Sequence, residues 1–159
     1  MKFQKYMAVG ILGLTMALGF SGCQSENQKN QDAYRKIGIN SMAEGDYDKA
    51  VKSFQKALDT SLGKIGAEEI DICYYKAAAQ FAKKDYDGAI ETYTSLIDYD
   101  KENANAYYLR GSVYLDTDKK DKAFKDYKNA VKYAGREYEI YEGIYENLTN
   151  KGETEEAKN

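Results

Sequence analysis

The sequence predicts an all-α fold: an α-solenoid of about three antiparallel helix pairs, ended by a C-terminal capping helix. Three observations carry that expectation. The string GDYDKAVKSF at residues 45–54 returns in altered form as KDYDGAIETY at 84–93. The alanine that follows Asp-Tyr-Asp opens a column of Ala50, Ala89, Ala123 and Ala157, with spacings of 39, 34 and 34 residues, and two successive intervals of 34 mark a repeating structural unit. Other columns keep register with the alanines. Aromatic residues follow four positions later (Phe54, Tyr93, Tyr127), and Ala57, Leu96 and Ala130 follow at seven. Small residues precede by twelve (Gly38, Ala77, Gly111), and Tyr34, Cys73 and Tyr107 precede these by four more.

Each element follows from helical periodicity. Over 31–44, Tyr34, Ile37, Gly38 and Ser41 share a face; over 47–60, Tyr47, Ala50, Val51, Phe54, Ala57 and Leu58 form a full apolar stripe. Small residues on the first helix let the axes approach closely, and aromatics on the second fill the remaining space. Asp46 and Asp85 stand where a helix begins, with Asp48 and Asp87 in its first turn. There a carboxylate accepts from unpaired backbone amides and opposes the positive end of the helix dipole. The first interval exceeds 34 by five residues, and the two glycines of DTSLGKIGAEEI, residues 59–70, place the excess in a longer connection. Helices are then expected over 67–83, 86–99, 103–117, 120–134 and 136–149. In the last, EIYEGIYENL puts Ile140, Tyr141, Ile144, Tyr145 and Leu148 on one stripe with glutamates elsewhere, as a terminal helix with a solvated outer face requires. GETEEA, residues 152–157, reads as the start of a second helix of an incomplete fourth pair.

These columns resemble the tetratricopeptide repeat family, whose 34-residue unit is a pair of antiparallel helices; GDYDKAVKSFQKAL at 45–58 and AYYLRGSVYLDTDKKDKAFKDYKNAV at 106–131 carry the likeness most clearly. The departures are Leu62, Lys101 and Gly135 where the family often has proline, and Ser41 and Gln80 where an aromatic is common; Tyr114 keeps the aromatic. On this resemblance the repeats occupy 32–62, 63–102 and 103–135, with a capping helix or incomplete fourth repeat over 136–159. The family lines its concave side with the first helix of each pair. That implies a partner-binding groove formed by Arg35, Ile39 and Met42, then Tyr74, Ala78 and Phe81, then Tyr108, Ser112 and Leu115. A tyrosine-rich apolar groove suits an extended segment or helix of another protein. Members that grip a C-terminal carboxylate use lysine, arginine and asparagine at these places; here only Arg35 fits, so that specificity is not expected.

The N-terminus carries a separate message. Lys2 and Lys5 lead into the uncharged run YMAVGILGLTMALGF, residues 6–20, which is shorter than the ~20 residues of a transmembrane helix and reads as a secretory signal over 1–22. FSGC, Phe20 to Cys23, resembles the bacterial lipobox, which implies lipid on Cys23 and a membrane-anchored, extracytoplasmic chain. Residues 23–31 then read as the lipidated cysteine and a flexible polar tether. Removal of the signal takes Lys2 and Lys5 and lowers the formal charge from -3 to -5, which disfavours nucleic acid and anionic surfaces.

Little points to catalysis. The chain has no histidine, which removes the usual general base and the commonest zinc ligand. Cys73 is the single mature-chain thiol and stands in a packing column, so it reads as a small buried hydrophobe. DTDKKD, residues 116–121, lacks the glycine and distal glutamate of a calcium loop. No enzyme activity, cofactor or metal is expected. The expected function is a membrane-anchored protein-interaction scaffold, and the alternative is a glycan-binding surface lipoprotein, since tyrosine faces also stack on sugars.

Overall fold

The turn between paired helices is built by one conformational device. Gly45, Lys84 and Asp118 all take left-handed backbone geometry, with φ of 78°, 68° and 58°, and glycine alone does so without a Cβ penalty. One residue later, Asp46 accepts from the Lys49 backbone N–H at 3.0 Å and Asp85 from that of Gly88 at 3.1 Å. Asn103 does the same for Ala106 at 2.9 Å. The repeated Asp-Tyr-Asp string is therefore a helix start, its first carboxylate committed to the cap.

The computed structural model describes residues 26–61, 63–153 and 155. These hold helices α1 (Glu26–Ala43), α2 (Tyr47–Asp59), α3 (Ala67–Ala82), α4 (Tyr86–Tyr99), α5 (Ala104–Asp116), α6 (Lys120–Ala134) and α7 (Tyr138–Asn150). No strand occurs among the described residues, as the all-α expectation requires. The signal segment 1–22, Cys23, Leu62 and Ala157 lie outside the described residues. The chain divides into two compact units, Met1–Lys84 and Asp85–Asn159.

In the first unit, α2 packs against both α1 and α3. Ala50, Phe54, Ala57, Ile72 and Ala79 are fully buried there. The Phe54 ring occupies the space above Gly38: a Cβ at that position would stand 2.5 Å from the ring. On its other side Phe54 stacks on Tyr75, with centroids 5.6 Å apart and planes inclined by 16°. One boundary differs from expectation. The segment predicted as a flexible tether up to residue 31 is helical from Glu26 onward, and Gln31 is buried, its Nε2 donating to Glu69 of α3 at 2.8 Å. Gln, Asn, Lys and Glu without glycine or proline are compatible with a helix once one side chain is docked.

In the second unit, α5 packs closely on α6, and α7 packs on both. Its core gathers Tyr108, Leu115, Ala123, Tyr127, Ala130, Ile140, Ile144 and Leu148. Gly111 receives the Tyr127 ring as Gly38 receives Phe54, a Cβ there meeting the ring at 2.8 Å. Only part of the stripe expected on α7 is buried. Ile140, Ile144 and Leu148 face inward, whereas Tyr141 is half-buried and Tyr145 is 56% exposed. The stripe spans more of the helix circumference than α5 and α6 cover. The connection at 60–66 absorbs the extra residues; Gly63 is left-handed, and the Gly66 N–H donates to Glu69 at the start of α3.

Candidate protein-interaction surface

The nine residues expected to line a groove fall into two groups. Arg35, Ile39 and Met42 on α1 and Tyr74 and Phe81 on α3 are half-buried at the surface of the first unit. Ala78 is 1% exposed, Ser112 2%, Leu115 4% and Tyr108 9%. These four serve packing and present no accessible face of their own. The reason is specific at Tyr108, whose hydroxyl end fits over Gly143 of α7, where a Cβ would stand 2.4 Å from the oxygen. Ser112 is the hub of a buried network. Its Oγ donates to the Tyr108 carbonyl at 2.9 Å and accepts from Tyr127 Oη at 3.3 Å and from Asn147 Nδ2 at 2.8 Å. Burial drives the Tyr127 hydroxyl pKa well above its ordinary value, so it remains a donor throughout the usable pH range.

The accessible group in the first unit is held by two interhelical bonds. Gln31 reaches Glu69, and Arg35 Nε donates to Asp71 Oδ2 at 2.9 Å. Sequence offsets of 38 and 36 at these contacts set α1 and α3 side by side and running the same way. Ile39 and Met42 thus continue α1 in the direction that Tyr74 and Phe81 continue α3. The Arg35 guanidinium lies 5.2 Å above the Tyr75 ring. Burial works against its charge, but the hydrogen bond and charge of Asp71 more than offset this and raise its pKa. Arg35, the one residue that fits a carboxylate-gripping set, already pairs with the Asp71 carboxylate, in keeping with the expectation that this specificity is absent.

The same face concentrates negative charge. Burial, a hydrogen bond with Asp32 and the Asp32 and Glu69 charges raise the Glu68 pKa from 4.5 to about 7, and Arg35 pulls it down only in part. Glu69 is shifted the other way: burial opposes its charge, but the hydrogen bonds from Gln31 and Gly66 hold its pKa below the usual value. Because the folded pKa of Glu68 exceeds its ordinary one, the native state holds a proton that the unfolded chain has released, and stability drops as pH rises through that window. The unfolding midpoint is expected to fall between pH ~5 and ~8, and Glu68→Gln, neutral at every pH, to remove most of that slope. An unchanged slope in Glu68→Gln would refute the raised Glu68 pKa.

In the second unit an unanticipated ion pair dominates. Arg110 Nε and Nη2 donate to the two Asp126 oxygens at 2.8 and 2.9 Å, and Nη1 donates to Thr94 at 2.9 Å. Asp126 is 3% exposed. The guanidinium is flanked by the rings of Tyr107 and Tyr114 at 5.7 and 5.9 Å. Asp126 lies three residues after Ala123 and four before Ala130, on the buried stripe, where earlier repeats carry Ser53 and Thr92, also buried. A carboxylate on an apolar stripe was the available signal for this pair.

The architecture and its columns define a helical-repeat protein, a class that binds other proteins. A tetratricopeptide-repeat family model matches residues 32–62 and 104–136, and a second model of the same repeat matches 77–118. Together they span more than half of the chain, which belongs to the tetratricopeptide repeat family. Solved structures agree on the fold. MamA superposes with a TM-score of 0.62 at 24% identity, covering 80% of this chain and 72% of MamA. The Arabidopsis OM64 TPR domain gives 0.63 at 17% identity over 78% and 98% of the two chains. The C-terminal TPR-containing domain of the Plasmodium falciparum FK506-binding protein PFL2275c gives 0.61 at 16%, over 85% and 97%. No curated protein matches the sequence. Among the described residues, no helix is long and apolar enough to cross a membrane.

Proposed function

We propose that this protein is a membrane-tethered lipoprotein whose tetratricopeptide repeats serve as a protein-interaction scaffold on the extracytoplasmic side. Lipid on Cys23 fixes its location, close in sequence to the start of α1 at Glu26. The partner docks on the α1–α3 face of the first unit, as an extended segment or a helix. The observation that carries this reading is the row of half-buried Ile39, Met42, Tyr74 and Phe81 beside the Arg35–Asp71 pair. It offers apolar area bordered by fixed charge, the composition that makes an interface both sticky and selective.

The test is recovery of partners from detergent-solubilised membranes by the full-length lipoprotein and by a Tyr74→Ala/Phe81→Ala variant. Partner recovery is expected to fall about tenfold or more, the loss of one or two hot-spot side chains. Equal recovery by both proteins would reject the α1–α3 assignment. Binding to a glycan array with no protein partner recovered would replace the scaffold reading by the glycan-binding one. Incorporation of labelled palmitate into wild type and not into Cys23→Ser checks the anchor.

A further inference from the structure

The outer face of α7 carries an unusual alternation. Its sequence YEIYEGIYENLTN pairs tyrosine with glutamate three times, at Tyr138–Glu139, Tyr141–Glu142 and Tyr145–Glu146, and contains no lysine or arginine. Tyr141, Glu142, Tyr145, Glu146, Thr149 and Asn150 line an open groove along this helix. Tyr138 is 71% and Tyr145 56% exposed. The Tyr141 ring is held in place by long hydrogen bonds from its hydroxyl to the carbonyls of Gly135 at 3.3 Å and Val131 at 3.4 Å.

Elsewhere the chain supplies its own cations to five of its tyrosines. Lys56 lies 5.5 Å from the Tyr34 ring, Arg35 5.2 Å from Tyr75, Lys122 5.5 Å from Tyr114 and Lys132 4.7 Å from Tyr133. Arg110 sits by both Tyr107 and Tyr114. On α7 no cation lies over Tyr138, Tyr141 or Tyr145, and no ion pair engages Glu142 or Glu146, among the described residues. Residues that follow the helix turn toward the α5–α6 end instead. Lys151 pairs with Asp116 at 2.9 Å, and Glu153 pairs with Lys120.

We propose that this face of α7 is a docking surface for a basic protein segment, its lysine or arginine stems lying on Tyr141 and Tyr145 and its charged heads against Glu142 and Glu146. The inference rests on the scaffold reading and adds to it a second surface and the charge of its partner. Ring faces and carboxylates both attract cations, and the two act together where they alternate along one helix. Glu142 and Glu146 are one helical turn apart, about 6 Å along the axis, so the matching partner is a helix with cations at i and i+4. A second copy of α7 is disfavoured, because a twofold contact through this face would set glutamate against glutamate.

Two 15-residue helical peptides serve as probes, one with leucine and lysine on a single face and one with glutamate in place of each lysine, titrated against the full-length protein with backbone amide shifts recorded. The lysine peptide is expected to bind and to move the amides of α7. Glu142→Lys/Glu146→Lys should weaken it about tenfold or more, Tyr145→Ala should weaken it several-fold, and Tyr74→Ala/Phe81→Ala should leave it unchanged. Absence of binding, equal binding of the glutamate peptide, or loss of binding in the Tyr74→Ala/Phe81→Ala variant alone would overturn the assignment. Those outcomes leave the scaffold reading standing on its own membrane-recovery test. Circular dichroism of the α7 variants, whose altered side chains are on the surface, shows whether they remain folded.

Discussion

Asp126→Ala is expected to cost about 3–5 kcal/mol of stability, as removal of one partner from a buried ion pair does. The Arg110 guanidinium would lose both of its charge-assisted bonds to Asp126, keeping only Thr94 and two tyrosine faces. The Asp126 hydrogen bond is the main cause of the raised Arg110 pKa; burial acts against it, so the guanidinium would stay charged in a site built for a pair. Denaturant melts of wild type and variant measure the loss. Combining Asp126→Leu with Arg110→Met removes both charges, and most of the lost stability should return. A single variant within ~1 kcal/mol of wild type would mean that the pair behaves as a surface bridge.

Phe54→Ala is the second large effect, also expected at about 3–5 kcal/mol. Phe54 is fully buried, fills the space left by Gly38 and stacks on Tyr75, which in turn lies under Arg35. Truncation leaves a cavity that Gly38, with no side chain, cannot help to close. The loss should appear in hydrogen exchange as faster opening of α1 and α2 amides. Phe54→Leu should recover a good part of it, since leucine restores most of the apolar contact. If Phe54→Ala exchanged like wild type, the ring would not be what joins α1 to α2.

The fold was legible because packing writes itself into periodic positions. Ala50, Ala89 and Ala123 are each fully buried, and the aromatic column of Phe54, Tyr93 and Tyr127 is at most 4% exposed. The helices expected over 86–99 and 120–134 appear with those bounds, and the others shift by a few residues at their ends. The site was less legible. Position in a repeat shows which way a side chain points but not what the next helix brings to meet it. Thus Tyr108 and Ser112 were expected in a groove and are instead covered, by Gly143 and Asn147 of α7. Asn147 itself had no signal, as one of several polar residues on a helix rich in glutamate. Asp126 did break the apolar stripe, and its departure from the pattern was the mark of its partner. The start of α1 was hidden for a different reason: QSENQKNQ has the composition of a solvated linker, and the partner that Gln31 reaches lies 38 residues away.

The central claim, that the first unit presents a protein-binding face, is tested most directly by photocrosslinking in intact membranes with a benzophenone side chain at position 74 and, as a control, at exposed Lys52 on α2. The account predicts a discrete protein adduct from position 74 and none from position 52. The same adduct from both positions, or no protein adduct from position 74, would contradict it.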